Sequence, residues 1–384
     1  MQAPTPRPVR VPLFSLSFSL LMAATLWVGP VPVLRAETAA EAPVAERLPQ
    51  TVPLDNPAIR YIGRFTEDRT FQWTGTQIAF SFEGESAEVD IKGKNSQNFF
   101  RVDVDGQMTQ SAKVGNGTTT IRVADKLPKG KHLVQITRRT EPFVGETTFA
   151  GLRLDAGAKL LPLPPAKRTY LAIGDSITCG YGNGTTNKDE HFKPETEFGD
   201  TTYAAQTARI FGADYLCTAW SGLGVYRNRG KNDVPEKGTI PSKFDRILPG
   251  REDSPLFDPK SISPDVITIN LNTNDWAIKP APPKEEFVAV YDKFIKKLQG
   301  YWPNVKIICI SGPMVGGGEA QDFVKAAAEG ANSDKVSFLV LTRDWQKEGL
   351  GGDWHPSQTT HDNNAKVLAE HIAKVTGWSY KATD

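Results

Sequence analysis

Four residues of this chain have the types needed for acyl transfer: Ser176, Gly222, Asn274 and His355. Such a reaction needs a nucleophile, a base within hydrogen-bond reach, and donors for the oxygen that becomes negatively charged in the tetrahedral intermediate. A serine hydroxyl can be the nucleophile and an imidazole the base. A backbone N–H beside a glycine, or an amide side chain, can be a donor.

Ser176 comes directly after an apolar run. Residues 170–173 predict a buried strand that Gly174 and Asp175 end, so the serine lies at the carboxyl end of that strand. Open parallel sheets bind their ligands at this edge. The tripeptide Gly174-Asp175-Ser176 also has a simpler interpretation as the start of a helix, because Asp and Ser are common helix caps.

The other candidates lie in loops that should reach the same edge. Gly222 follows a predicted strand at residues 214–219, Asn274 follows one at residues 266–271, and His355 precedes the last helix. Because parallel strands end at a common edge, these loops are expected to converge on the serine. Taken singly, Gly222 and Asn274 are also compatible with ordinary turns or caps.

A carboxylate accompanies the histidine. Asp353 precedes His355 by two residues, and in an extended loop residues i and i+2 point the same way. We therefore expect Asp353 to orient the imidazole and to complete a catalytic triad. A metal site made of Asp353, His355 and His361 is an alternative, but no second ligand pair stands at a recognised spacing, so no metal is expected.

The chain shows two patterns of apolar residues. Residues 57–158 alternate apolar and polar side chains, as at Ile78 and Phe80, in short runs that end at turn signals. Runs of this kind are typical of an antiparallel β-sandwich, most simply a jelly roll. A proline-rich segment, residues 159–168, is the predicted linker to a second domain.

Strands alternate with helices from residue 169 to residue 384. In the predicted helix at residues 284–299, apolar side chains recur at Phe287, Tyr291 and Phe294. This alternation predicts a parallel sheet covered on both faces, a three-layer α/β/α domain. The predicted strands are 170–173, 214–219, 266–271, 305–310 and 336–341, and the other predicted helices are 201–211, 322–331 and 361–375.

The composition excludes several classes of partner. Among 384 residues, 45 Lys and Arg balance 44 Asp and Glu, for a formal charge of +1. That balance gives no net electrostatic attraction for nucleic acid or an anionic membrane, so a neutral partner is expected. The three cysteines allow at most one disulfide, and we expect buried free thiols.

The amino terminus resembles an export signal. Arg7 and Arg10 precede an apolar stretch at residues 11–28, and small residues follow near Ala36. We predict a signal peptide at residues 1–36 and a disordered lead-in at residues 37–56. A transmembrane anchor is the alternative, although serines dilute the apolar run. The mature protein is expected to be secreted, extracellular or periplasmic, without membrane association.

Four sequence blocks resemble those of the SGNH/GDSL hydrolases. In chain order they are Gly174-Asp175-Ser176-Ile177-Thr178, Ser221-Gly222, Asn274-Asp275 and Asp353-Trp354-His355-Pro356. The upstream sandwich, with residues 59–64 opening it, and the late Asp-Trp-His-Pro resemble carbohydrate esterase family 2, the two-domain acetyl-xylan esterases. Thr178 stands where the nucleophile elbow of α/β-hydrolases has its second glycine, so that fold is not indicated.

The resemblance implies a role for each residue. Ser176 would be the nucleophile and His355 its base, and the N–H groups of Ser176 and Gly222 with the Asn274 side chain would form the oxyanion hole. No cofactor is implied. Some members of the family orient the histidine by a backbone carbonyl instead of a carboxylate, which leaves the role of Asp353 open.

Three side chains near these blocks need separate interpretation. Asn272 replaces the glycine that is usual in the family, which would narrow the site or add a donor there. Trp354, between Asp353 and His355, is the predicted sugar contact. Trp276 is expected to pack between loops.

Together these features predict an exported serine esterase that removes acetyl groups from polysaccharides such as acetylated xylan or glucomannan. An esterase or lipase-like hydrolase of other acyl esters is the first alternative. A glycan-binding protein that uses the same cleft without turnover is the second. An acetylated polysaccharide or oligosaccharide is the expected partner.

Overall fold

The computed structural model describes residues 47–230, 235–315 and 317–380. The predicted signal peptide, residues 1–36, and residues 37–46 of the predicted lead-in lie outside the described residues. Within the described ranges, no helix combines the length and the apolar character that crossing a membrane requires.

The amino-terminal domain is a sandwich of two antiparallel sheets, which confirms the predicted fold of this region. Its strands are β1 (Gln50–Val52), β2 (Arg60–Ile62), β3 (Thr70–Phe71), β4 (Gln77–Gly84), β5 (Ala87–Lys94), β6 (Asn98–Val104), β7 (Gln107–Val114), β8 (Gly117–Ala124), β9 (Gly130–Arg138), β10 (Glu146–Leu154) and β11 (Lys159–Leu161). One sheet has the order β1-β10-β5-β8, with β3 also on β10. The other has the order β11-β4-β9-β6-β7, with β2 on β4. Alternate residues such as Phe80, Phe82 and Phe100 are fully buried between them.

Two boundaries of the sandwich differ from the prediction. Residues 50–52, which the sequence placed in a disordered lead-in, form β1, because Val52 is buried and the strand pairs with β10. The predicted linker begins inside the sandwich, because β11 pairs with β4 before the prolines end the strand.

The second domain is built on a five-stranded parallel sheet, as predicted. Its strands are β12 (Thr169–Gly174), β13 (Asp214–Ala219), β14 (Val266–Asn270), β15 (Lys306–Ser311) and β16 (Val336–Val340), in the order β13-β12-β14-β15-β16. In the sheet, β13 lies on one side of β12 and β14 lies on the other side, so the strand order reverses at β12. Gly174 is level with Ala219 and Asn270, so the three following loops start at the same height. This reversal of strand order creates a crevice beyond the carboxyl end of β12.

Helices cover both faces of this sheet, so the domain has the predicted three layers. The helices are α1 (Ser176–Cys179), α2 (Tyr203–Phe211), α3 (Ile240–Lys243), α4 (Lys284–Tyr301), α5 (Glu319–Gly330), α6 (Trp345–Glu348) and α7 (Gln358–Thr376). Helices α4 and α5 pack on the face that carries Leu171 and Ile173, whereas α2 and α7 pack on the face that carries Tyr170 and Ala172. The three cysteines, Cys179, Cys217 and Cys309, are free and buried.

Buried polar side chains join the sandwich to the sheet domain. Nε of Arg139 lies 2.7 Å from the carboxylate of Asp200, and both side chains are almost fully buried. The indole N–H of Trp73 donates to the carbonyl of Arg246 at 2.9 Å. Such groups need these partners, because a buried polar group without one is costly. The position of the sandwich against the sheet domain is therefore fixed by specific contacts.

Candidate active site

The hydroxyl of Ser176 and the imidazole of His355 are hydrogen bonded at the carboxyl edge of the parallel sheet. Oγ lies 2.9 Å from Nε2, and the two residues are only 6% and 5% exposed. Strand β12 delivers Ser176 as the first residue of α1, and Asp175 caps that helix by accepting the N–H of Ile177 at 3.0 Å. The helix-start turn that the sequence also suggested is thus the element that brings the serine to the histidine.

Two backbone carbonyls orient the imidazole. Nδ1 of His355 lies 3.1 Å from the carbonyl oxygens of both Gly352 and Asp353. Because a carbonyl oxygen only accepts, the hydrogen of the neutral ring sits on Nδ1, and Nε2 is free to accept the serine proton. Burial lowers the pKa of His355 to about 4, although both hydrogen bonds act to raise it. The ring is therefore a neutral base at neutral pH.

The carboxylate of Asp353 does not lie where the sequence predicted. It accepts a hydrogen bond from the Tyr181 hydroxyl at 2.6 Å and contacts Nδ1 of His191 at 2.8 Å. The prediction assumed an extended loop, but Asp353 and Trp354 have φ values of 47° and 63°. In this left-handed turn residues i and i+2 do not share a direction, and Asp353 meets His355 through its backbone carbonyl instead. The geometry is that of a serine–histidine dyad.

Asp353 reaches the imidazole indirectly, through Tyr181. The Tyr181 ring stacks on His355 with the ring centroids 4.2 Å apart and the planes at 24°. Because the carboxylate holds the Tyr181 hydroxyl, it fixes the ring that covers the base. Tyr181 was not among the predicted site residues. An aromatic residue between Gly180 and Gly182 was the signal that could have identified it.

The predicted oxyanion donors are linked around Ser176. Nδ2 of Asn274 donates to the carbonyl of Leu223 at 2.9 Å and to the carboxylate of Asp175 at 3.2 Å. Because both amide hydrogens are used, Asn274 links the residue after Gly222 to the residue before the serine and is not the open oxyanion donor that the sequence predicted. Within the described residues, the N–H groups of Ser176 and Gly222 have no acceptor and are open to an oxygen. Gly222 has φ of 79°, which a residue without Cβ adopts freely.

Asp275 fixes the loop that carries Gly222. Its buried carboxylate accepts the backbone N–H groups of Val225, Tyr226 and Arg227 at 3.3, 2.8 and 2.9 Å. Burial raises the pKa of Asp275 to about 6, although the three hydrogen bonds act to lower it. The Asn274-Asp275 pair thus holds the loop that carries Gly222, the predicted oxyanion loop, through both side chains.

Asn272 and Trp276 support the architecture beside the site. Nδ2 of Asn272 donates to the Ser311 hydroxyl at 2.8 Å, so the extra side chain faces β15 instead of adding a donor to the oxyanion hole. Trp276 packs edge-on against Phe287 and Phe323, with centroids 4.9 and 5.5 Å apart. This agrees with the packing that we expected for Trp276.

Exposed aromatic side chains lie around the site. Trp354, the predicted sugar contact, is 52% exposed. Phe143, which the sandwich contributes, is 48% exposed and packs on Phe192 at 4.9 Å. Phe192 packs in turn on Tyr181 at 5.0 Å. An aromatic row therefore runs from the covered face of His355 to the surface of the sandwich.

Replacing Asp353 by alanine should lower kcat for ester hydrolysis by less than about tenfold, because backbone carbonyls orient His355. Removing the carboxylate from a true triad costs about 10,000-fold. Steady-state kinetics of Asp353→Ala beside His355→Ala would measure the difference. A loss in Asp353→Ala as large as in His355→Ala would contradict the dyad.

Protonation of His355 should occur only in acid, because burial holds its pKa at about 4. The base is active when neutral, so kcat/KM should rise with pH through this pKa and then level off. Burial also raises the pKa of Asp175 to about 7, so a second ionisation near the site would overlap the rate profile. The His355 ring is therefore best followed directly by NMR titration. A midpoint for His355 at or above the ordinary value of about 6.5 would contradict the assignment.

Two family models match the two domains. The carbohydrate esterase 2 N-terminal model matches residues 61–164, and the GDSL-like lipase/acylhydrolase model matches residues 172–362. The first match covers most of the sandwich. The second includes both Ser176 and His355.

Curated relatives and a solved structure show the same relationship. The chain is 34% identical over 339 residues to the cellulase/esterase CelE of Acetivibrio thermocellus, which covers 86% of this chain but only 41% of the length of CelE. It is 30% identical over 330 residues to an acetylxylan esterase / glucomannan deacetylase of Cellvibrio japonicus, which covers 80% of this chain and 86% of that protein.

The structure of a family two carbohydrate esterase from Clostridium thermocellum, solved in complex with cellohexaose, superposes with a TM-score of 0.78 at 33% identity. The match covers 84% of this chain and all of that one. The similarity extends through both domains and includes the serine and histidine blocks. The chain belongs to carbohydrate esterase family 2, and it is a carboxylic ester hydrolase of the SGNH type.

Proposed function

We propose that this protein is an exported serine esterase that removes O-acetyl groups from polysaccharides such as acetylated xylan or glucomannan. The observation that carries the proposal is the 2.9 Å hydrogen bond between Ser176 Oγ and His355 Nε2. The other ring nitrogen, Nδ1, faces two backbone carbonyls, which leaves Nε2 as the base. The relative named acetylxylan esterase / glucomannan deacetylase supports the substrate class.

Acylation uses the groups already in place. As Oγ of Ser176 attacks the acetyl carbon, Nε2 of His355 takes the hydroxyl proton. The carbonyl oxygen gains the negative charge, and the open N–H groups of Ser176 and Gly222 stabilise it. Asn274 holds the loop that carries Gly222, because its two amide hydrogens are bonded to Leu223 and Asp175. The imidazolium then gives its proton to the sugar oxygen as the C–O bond breaks, which leaves an acetyl group on Ser176.

Deacylation repeats these steps with water. The neutral imidazole takes a proton from a water molecule that attacks the acetyl-serine, and then returns a proton to Oγ as acetate leaves. Through both half-reactions Nδ1 keeps its hydrogen, and the carbonyl oxygens of Gly352 and Asp353 stabilise the positive ring. No acceptor of that hydrogen has to move during catalysis.

The surroundings of the site support a neutral glycan as substrate. The formal charge of +1 gives no overall attraction for a charged polymer. Two aromatic side chains are about half exposed: Trp354, which precedes His355, and Phe143, which connects to Tyr181 through Phe192. The predicted signal sequence supports export from the cytoplasm, and polysaccharides are found outside the cytoplasm.

Acetate release from acetylated xylan and acetylated glucomannan, compared with hydrolysis of a long-chain acyl ester, tests the substrate class. The assay should use protein recovered outside the cytoplasm, whose amino terminus should begin after residue 36. We expect acetate from at least one polysaccharide and little hydrolysis of the long-chain ester. Faster hydrolysis of the long-chain ester than of either polysaccharide would contradict the proposed substrate class but not the serine esterase mechanism.

The matched control for this assay is Ser176→Ala. It should abolish hydrolysis of every ester and leave glycan binding measurable, for example by affinity electrophoresis. Unchanged hydrolysis in Ser176→Ala would contradict the proposed nucleophile. Glycan binding by the parent protein without any acetate release would indicate a binding protein instead.

A further inference from the structure

A glutamate of the sandwich reaches into the catalytic domain. Glu141 lies between β9 and β10 and is fully buried. One oxygen of its carboxylate accepts the backbone N–H of Ser221 at 2.7 Å, and the other accepts the Ser221 hydroxyl. Both donors of a single residue in the loop after β13 are therefore held by a side chain from the other domain.

Ser221 directly precedes Gly222, whose N–H is a predicted oxyanion donor. Fixing both the N–H and the hydroxyl of Ser221 restrains the backbone from which the Gly222 N–H projects. On the other side of Gly222, the carbonyl of Leu223 is held by Asn274 at 2.9 Å. Without the first restraint, a glycine with φ of 79° has a wide range of accessible conformations. The donor would then lose its fixed direction.

The turn that carries Glu141 is itself rigidly held. The buried guanidinium of Arg138 donates to the carbonyls of Thr140, Glu141 and Gly145 at 2.9, 2.9 and 2.8 Å. The N–H of Glu141 donates to the carboxyl group of Glu197 at 3.0 Å. These contacts fix the backbone of Glu141, from which its side chain reaches Ser221.

A second buried glutamate, Glu197, lies beside Glu141. Burial raises the pKa of Glu197 well above its ordinary value, and the charge of Glu141 raises it further. Burial also raises the pKa of Glu141, although its hydrogen bonds with Glu197, Ser221 and Cys179 act to lower it. Cys179, whose Sγ lies 3.9 Å from Glu141, is also held as a thiol, because burial raises its pKa. Both carboxyl oxygens of Glu141 thus act as acceptors toward Ser221.

We propose that Glu141 is a positioning residue for ester hydrolysis, through which the sandwich domain fixes the oxyanion loop by way of Ser221. The sandwich is then part of the catalytic apparatus and not only an attached module. The inference rests on the esterase activity of the proposed function, but not on which ester is the natural substrate.

Glu141→Gln tests the inference, because it preserves the size of the side chain but loses one acceptor and the negative charge. Loss of a whole oxyanion donor costs about 100 to 1000-fold, so a misdirected donor should lower kcat by about 10 to 100-fold. Such donors act mainly in the transition state, so KM for an activated acetyl ester should stay nearly constant. Glu141→Asp, which restores the charge on a shorter side chain, should recover part of kcat.

The matched control is Glu88→Gln, the same change at another buried glutamate of the sandwich, whose carboxylate pairs with Arg153 and Arg122. It should lower the melting temperature without changing kcat.

Ser221→Ala should lower kcat in the same direction as Glu141→Gln, and the double variant should lose less than the product of the two single effects.

Three results would overturn the inference. The first is a kcat for Glu141→Gln within about twofold of the parent. The second is an equal loss of kcat in Glu88→Gln, which would mean that any damage to the sandwich impairs the enzyme. The third is independent effects of Glu141→Gln and Ser221→Ala. A parent that hydrolyses no ester would instead overturn the proposed function, and this inference with it.

Discussion

The imidazole of His355 is able to accept the proton of Ser176 only while the ring hydrogen stays on Nδ1, and two backbone carbonyls impose that condition. The carbonyl oxygens of Gly352 and Asp353, each 3.1 Å from Nδ1, cannot donate, so they fix both the tautomer and the direction of the ring. The left-handed backbone at Asp353 and Trp354 brings both carbonyls to the ring. Local strain of this kind is common where function requires one geometry. The Tyr181 ring then covers the imidazole, and burial keeps it neutral.

The rest of the site depends on loops that both domains hold in place. Strands β12, β13 and β14 end at one level, so Ser176, Gly222 and Asn274 start from a common edge. Their final directions come from buried polar side chains. Asp275 binds three N–H groups of the loop after β13, Asn274 binds its carbonyl at Leu223, and Glu141 of the sandwich binds Ser221. A β-sandwich that carries such a residue takes part in the shape of the site.

The fold and most of the site could be predicted from the sequence, because both depend on local patterns. Period-two and helical spacings located the sandwich and the layers of the sheet domain, and the residues after each strand end located Ser176, Gly222 and Asn274. The role of Asp353 could not be predicted in this way. Its direction depends on two residues in a left-handed turn, and neither is glycine, so the sequence carried no signal for that turn.

Two other features depend on contacts between distant parts of the chain. Glu141 and Ser221 are 80 positions apart in the sequence, on opposite sides of a domain boundary, and no motif links the two positions. Similarly, β1 looked too polar to be ordered, yet one buried valine and the edge of β10 suffice to hold it. Pairings of this kind arise from tertiary structure, which overrides local composition.

The most direct test of the account is to trap the covalent intermediate. The protein would be mixed rapidly with an activated acetyl ester, quenched in acid before the acyl group is hydrolysed, and digested for peptide mass spectrometry. We predict an acetyl group on Ser176, which should be absent in His355→Ala and still present in Asp353→Ala. Ester turnover by the parent protein without acetylation of Ser176, or loss of the adduct in Asp353→Ala, would contradict the serine–histidine dyad.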